Sequence, residues 1–438
     1  MIRRVLLSSV CLLVASASMA TAAIDAPATR AAAGKILDAD YPRLDALYKD
    51  IHKNPELGFQ EVRTAAKLAA ETRAIGFEVT EKVGKTGIVA ILKNGPGPLV
   101  MVRTELDALP MEEKTGLPYA STAKQMYNGK ETFVDHSCGH DIHMAAWVGT
   151  ARALVAMKDK WHGTLMFIGQ PAEEITGGAK AMLADKLFER FGKPEIGFAL
   201  HTGANPAGQV SYKPGVNSSN SDSLEIKFLG RGAHGSRPSQ SIDPILMASR
   251  FVVDVQSVIS REKDAAEFGV VTIGAIEGGS AGNIIPDNVV LRGTIRSYRP
   301  DVRETLTGGV RRTANAVAMM AGAPAPQVTI TPGGDAVVND IPIAERTGAL
   351  FKAAFGDKAI RNDEPGSASE DYSAFIQAGV PSLFFGIGGV DPAKLAEAKA
   401  KGVAFPGNHS PQFAPLPEPA IRTGVEAMTI AVMSVVGQ

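Results

Sequence analysis

One short run of the chain, His136-Ser137-Cys138-Gly139-His140-Asp141-Ile142-His143, holds three imidazoles and a thiol. Thiolate and imidazole are the side-chain donors that favour borderline-soft divalent metals. Cys138 and His140 lie two apart around Gly139, a spacing that suits a loop turning both donors onto one ion just before a helix that begins near Asp141. A polar loop with a helix cap would account for Asp141, and for His143 alone, but not for this density of donors. A second cluster, Gln170-Pro171-Ala172-Glu173-Glu174, follows an apolar, strand-like run at 163–169. Adjacent carboxylates repel and lose hydration on burial unless a cation or proton compensates, so one can ligate metal while the other stays free as a base. His201 follows a strand-like run at 196–200, and His409 sits in the polar loop Gly407-Asn408-His409-Ser410-Pro411. Singly, each of these would be unremarkable. Together Cys138, His140, Glu174, His201 and His409 supply enough donors for two divalent cations sharing a bridging group, and Zn, Mn, Co or Ni would all accept this mixture.

Donors so far apart in sequence need a rigid frame. Strand-like runs at 87–92, 99–104, 163–169 and 196–200 alternate with helical stretches near 144–157 and 179–188, the pattern of an α/β domain with a largely buried sheet. Helices are also expected at 36–51 and 61–75. From Ser221 the texture changes to strand 224–229, helix 244–259, strands 269–276 and 289–298, helix 302–320 and strand 327–331. That order is the split βαβ of a ferredoxin-like module. Helix and strand then resume, ending in a helix at 418–436. The expected division is a discontinuous α/β domain, 36–215 and 332–438, with an inserted module at 216–331.

The 438 residues carry 45 Lys and Arg against 46 Asp and Glu, so no electrostatic footprint for nucleic acid exists. Residues 1–22 have the layout of a cleavable secretory leader: Arg3 and Arg4, a short apolar run, and small residues around Ala20-Thr21-Ala22. The expectation is a periplasmic or secreted protein with no membrane association after cleavage. Cys11 would leave with the leader, so Cys138 would be the lone thiol in an oxidising compartment, a liability unless it is buried or metal-bound. His52, beside Lys53 on a helix, is expected at the surface, and His162 is assigned no role.

The chain resembles the M20 metallopeptidases, in the branch of hippurate hydrolases and of N-acyl-amino-acid and auxin-conjugate amidohydrolases. The resemblance runs from about Leu37 to the C-terminus. It rests on Asn54-Pro55-Glu56-Leu57-Gly58-Phe59, Leu106-Asp107-Ala108-Leu109-Pro110, the Cys-Gly-His-Asp motif with His136 and His143, Gln170 to Glu174, His201, Gly232-Ala233-His234, Asn283-Ile284-Ile285-Pro286-Asp287 and Asn408-His409-Ser410-Pro411. It implies a zinc-exopeptidase-like α/β catalytic domain whose inserted ferredoxin-like domain serves as lid and dimerisation surface, and a homodimer. It implies that Cys138 bridges two metals, with His140 and His201 on one and Glu174 and His409 on the other, and that Glu173 is the general base. His234, Asn283 and Arg296 would bind the substrate, an N-acyl amino acid or short peptide.

The sequence departs from the branch at Arg103-Thr104-Glu105-Leu106-Asp107, where Glu105 replaces a shorter Asp. Asp107 is retained, and is expected to back a metal-bound histidine. Ser367 to Tyr372 also resembles a family motif; Glu370 there is read either as support for the site or as a plain acidic helix start. The leading reading is a metal-dependent amidohydrolase of N-acyl or N-aroyl amino acids. A dipeptidase or carboxypeptidase is the alternative within enzymes, and an inactive periplasmic binding protein the alternative outside them.

Overall fold

In a computed structural model, residues 24–438 are described; the leader expected at 1–22 lies outside them. The apolar runs pair into an eight-stranded sheet in the order Glu78–Val83, Gly87–Asn94, Gly163–Gln170, Leu99–Glu105, Ile196–Pro206, Ser382–Val390, Val210–Tyr212, Ala359–Arg361. Its centre, from Gly163–Gln170 to Ser382–Val390, is parallel. Those strands are apolar on both faces because helices cover both. On one face lies His140–Ala156, buried nearly all round, against Ala26–Lys53 and Pro417–Val436. The last is long and apolar enough to cross a membrane, but it is mostly buried inside this layer. The opposite face is closed by Gly178–Ala184, Leu187–Phe191 and Ser373–Gln377. The first helix begins at Ala26, ten residues before the expected boundary, and buries Ala26 and Ala33.

Asp222–Leu229, Gly269–Glu277, Asn288–Ser297 and Gln327–Pro332 form a separate four-stranded antiparallel sheet with the first strand between the third and fourth. Pro244–Asp254 and Pro300–Met320 cover one face of it with a core of their own. This is the βαββαβ order read from the sequence. The two connections to the large domain pair with each other, Gly215–Val216 against Val338–Asn339. Asn339 ties that junction down by donating to the Lys213 and Phe384 carbonyls and accepting from the Phe384 amide.

Because the central strands run parallel, their carboxyl ends gather on one edge, where open α/β sheets bind ligands. Glu105 ends one strand, and Gln170 to Glu174 leave the next. His201 is a correction to the expected placement. Its strand continues to Pro206, with His201 paired beside Gly386, so the imidazole projects from within the sheet rather than from the loop after it.

Candidate metal centre

The loop carrying Cys138 turns into its helix through Gly139, whose φ is +88°. A Cβ there would lie 2.3 Å from Thr202 Cγ2, so only glycine lets the thiol and His140 fold back over the sheet edge. Two non-glycine residues of the site, Ala172 (φ 49°) and His409 (φ 64°), also hold left-handed backbone. That conformation costs roughly 1–2 kcal/mol per residue, and local anchors hold it in place. The Ala172 amide donates to buried Glu61 (2.7 Å). The His409 amide donates to Ser137 O (2.9 Å), and Asn408 Nδ2 to Cys138 O (2.8 Å) and Thr202 O (3.1 Å).

All five expected donors converge. Cys138 Sγ lies 3.4 Å from His201 Nε2 and 3.3 Å from His409 Nε2. His409 Nε2 is 3.4 Å from Glu174 Oε2, and His140 Nε2 is 3.8 Å from Glu174 Oε1. Two ligand atoms on one tetrahedral ion, each bound at ~2.0–2.3 Å, sit roughly 3.3–3.8 Å apart. The tautomers fit as well. His140 Nδ1 faces Asp107 O at 2.8 Å and His201 Nδ1 faces Thr202 O at 2.7 Å. A carbonyl can only accept, so the proton sits on Nδ1 and each Nε2 presents a lone pair. His140 Nε2 and Glu174 Oε1 are buried with no hydrogen-bond partner.

Burial by itself drives every donor toward its neutral form. It pulls His201 down to about 3 and His140 well below the usual imidazole range. It pushes the Cys138 thiol well up, helped by the Glu174 and Glu173 charges, and lifts Glu174 to about 7. Glu173 is raised well above the carboxylate range by burial and by Glu370, Glu174 and Asp371. A divalent ion would hold the thiol and both carboxyls in their charged forms. A thiol, imidazoles and a carboxylate in this spacing fit a borderline-soft divalent ion.

Asp107 backs His140 as expected, and it does so through its backbone. Its main-chain carbonyl orients His140, while its carboxylate accepts the Glu173 and Glu174 amides at 3.0 Å each. His143, the remaining imidazole of the motif helix, has both nitrogens engaged. Nε2 accepts from the Thr202 amide (2.7 Å), so Nδ1 donates to Glu105 (2.9 Å). Glu105 in turn meets Arg103, which also reaches Gln170, Glu370 and Asp371. Arg103 as a buried hub and Glu61 as a loop anchor emerge only in the fold. A charged residue at a position facing the sheet interior was the available signal. His52 is corrected from surface to core: it is 3% exposed and bonded to Asp141 (2.6 Å) and Glu113 (3.2 Å).

The donors open into a cleft between the two sheets, ≈ 1060 Å³ in volume, lined also by Glu173, Glu370 and Arg296. Arg296 Nη1 donates to Ser367 O (3.1 Å). His234 and Asn283 are not brought there. Both are exposed, with the Gly235 amide donating to Asn283 O, and His234 lines a different pocket on the small domain.

The sequence pattern of peptidase family M20/M25/M40 matches residues 101–404. The chain belongs to this family. The M20 chain is 36% identical to hippurate hydrolase of Campylobacter jejuni, over 75% of its own length and 83% of that protein. It is 34% identical to N-acetylcysteine deacetylase of Bacillus subtilis, over 66% and 73%. A Bacillus subtilis structure described as a dinuclear metal-binding peptidase of the M20 family superposes with a TM-score of 0.71 at 28% identity, covering 91% of this chain and 99% of that one. The M20 protein is thus a metal-dependent hydrolase of amide C–N bonds.

Proposed function

We propose that the protein is an exported amidohydrolase that splits N-acyl or N-aroyl amino acids. Two divalent cations held by Cys138, His140 and His201 on one side and Cys138, Glu174 and His409 on the other would polarise the amide carbonyl and activate a water. Glu173 takes the water's proton and delivers it to the leaving nitrogen. Its neighbour Asp107 keeps the Glu173-Glu174 turn at the right height by holding both amides. Arg296 offers a forked donor to the α-carboxylate of the amino acid. His234 and Asn283 serve the cleft of a second copy of the chain in a homodimer.

The observation that carries this reading is the set of converging donors whose bare atoms, His140 Nε2 and Glu174 Oε1, have no protein partner. A substrate blocked at nitrogen is favoured over a dipeptide because each carboxylate lining the cleft is already engaged, Glu173 as the base, Glu174 as a ligand and Glu370 by Arg103, which leaves a free ammonium without a partner of its own. Glu173→Ala tests the base: turnover of a metal-loaded sample should fall roughly 10²–10⁴-fold with metal content unchanged. Unchanged turnover would remove the assignment. N-terminal sequencing of the exported protein should begin near Ala23, and an intact Met1 would refute export by cleavage.

A further inference from the structure

The outer face of the small domain's sheet carries Ser223, Thr272 and Thr294 beside one another across the ladder, and Ser223 lines the cleft. That face is apolar beside Arg296. Val270 is the cross-strand partner of Arg296, and directly paired residues project from the same face with Cβ atoms about 4.5–5.5 Å apart. Their neighbours Val271 and Ile295 are buried in the core beneath the helices. Val270 and Arg296 therefore point the other way, and both line the cleft. Phe268 lines it next to them. Its ring is stacked on Tyr298, with centroids 4.3 Å apart and planes 21° from parallel, and the Tyr298 hydroxyl is itself tied to Pro365 O at 3.0 Å. The aromatic wall is thus set before any ligand arrives.

Resting on the reading of Arg296 as the carboxylate grip, we propose that Phe268 and Val270 form the subsite for the side chain of the leaving amino acid, and that the enzyme takes conjugates of apolar amino acids in preference to charged ones. An amino acid's carboxylate and side chain hang from the same carbon. A carboxylate held by Arg296 therefore puts the side chain beside the residue paired with Arg296, which is Val270, and then against Phe268. The acyl group leaves in the opposite direction, because the scissile carbonyl must lie at the Glu173 end. No Lys or other Arg lines the cleft, and its carboxylates lie at the metal end. A charged side chain at Phe268 and Val270 would be desolvated without a counter-charge.

The test uses the full-length, metal-loaded protein and N-benzoyl conjugates of glycine, leucine, phenylalanine, aspartate and lysine. The parent should prefer leucine and phenylalanine over aspartate and lysine in kcat/KM by ten-fold or more. In Phe268→Ala and Val270→Ser the leucine-to-glycine ratio should fall roughly ten-fold, the scale of losing part of an apolar pocket, with the change mostly in KM. Val270→Arg should move the aspartate-to-leucine ratio the other way. Ratios are read only within variants that retain turnover and metal, so a folding defect cannot mimic the result. Ratios that stay constant across all three variants overturn this assignment and leave the hydrolase reading standing. A parent that cleaves none of the conjugates with any of Zn, Mn, Co or Ni overturns the proposed N-aroyl amino acid substrate, and this assignment with it.

Discussion

Two polar clusters lie at the same sheet edge and both draw on imidazoles and carboxylates, yet they differ in how completely they are satisfied. Around Cys138 the donors stand at ligand spacing, and His140 Nε2 and Glu174 Oε1 have no protein partner. Around Arg103 each nitrogen of His143 is spoken for, and the guanidinium bridges Glu105, Glu370 and Asp371. Glu105, His140, His143 and His201 are close enough for a metal by distance alone, but the bonded state of His143 excludes it as a ligand unless Thr202 gives way. Saturation, more than proximity, separates a centre suited to a cation from one that braces it.

The sharpest way to break this comparison is to remove one member of each cluster. Cys138→Ala should reduce bound metal below two ions and lower turnover roughly 10⁴-fold, the several kcal/mol that a metal pair supplies. Elemental analysis alongside an activity assay measures both. Arg103→Met should instead cost about 3–5 kcal/mol of stability, because it strands buried carboxylates, while the metal content stays at two. Urea unfolding and the same metal assay check it. If Arg103→Met lost metal as Cys138→Ala does, the two clusters would be one functional unit and the distinction would fail.

A smaller effect concerns the third polar group, His52 between Asp141 and Glu113. Burial alone would lower its pKa, but the hydrogen bonds and charges of those two carboxylates win and raise it to about 10. A folded pKa above the unfolded value of ~6.5 means that the ion pair contributes fully below that value. The contribution fades as pH rises toward 10. His52→Gln should therefore cost about 1–3 kcal/mol near pH 6, and the gap to the parent should narrow by pH 10. Thermal unfolding across that range measures it, and a gap independent of pH would show that His52 is not charged in the fold.

Much of the metal centre was legible in the sequence because its chemistry belongs to the residue types. A thiol, imidazoles and paired carboxylates carry their metal preference wherever they lie, and the alternation of apolar runs placed most of them near strand ends. The burial of His52 is not legible in the sequence, because its helix pattern does not reveal that Asp141, 89 positions on, and Glu113 meet it. That Asp107 would stand behind His140 is legible in the sequence, but only the folded chain decides that the carbonyl faces His140 while the carboxylate accepts the Glu173 and Glu174 amides.

The donor set, the α/β alternation and the order of the small module were therefore determined by the sequence itself, because side-chain chemistry and periodicity are local properties. The tertiary structure alone decided which of those donors were left bare and which were consumed by Arg103, Glu105 and the Thr202 amide. It alone put Val270 beside Arg296, and set His234 and Asn283 apart from the cleft of their own chain. Those outcomes depend on strand register and on which distant segments meet, and a one-residue slip in register would turn each side chain to the other face.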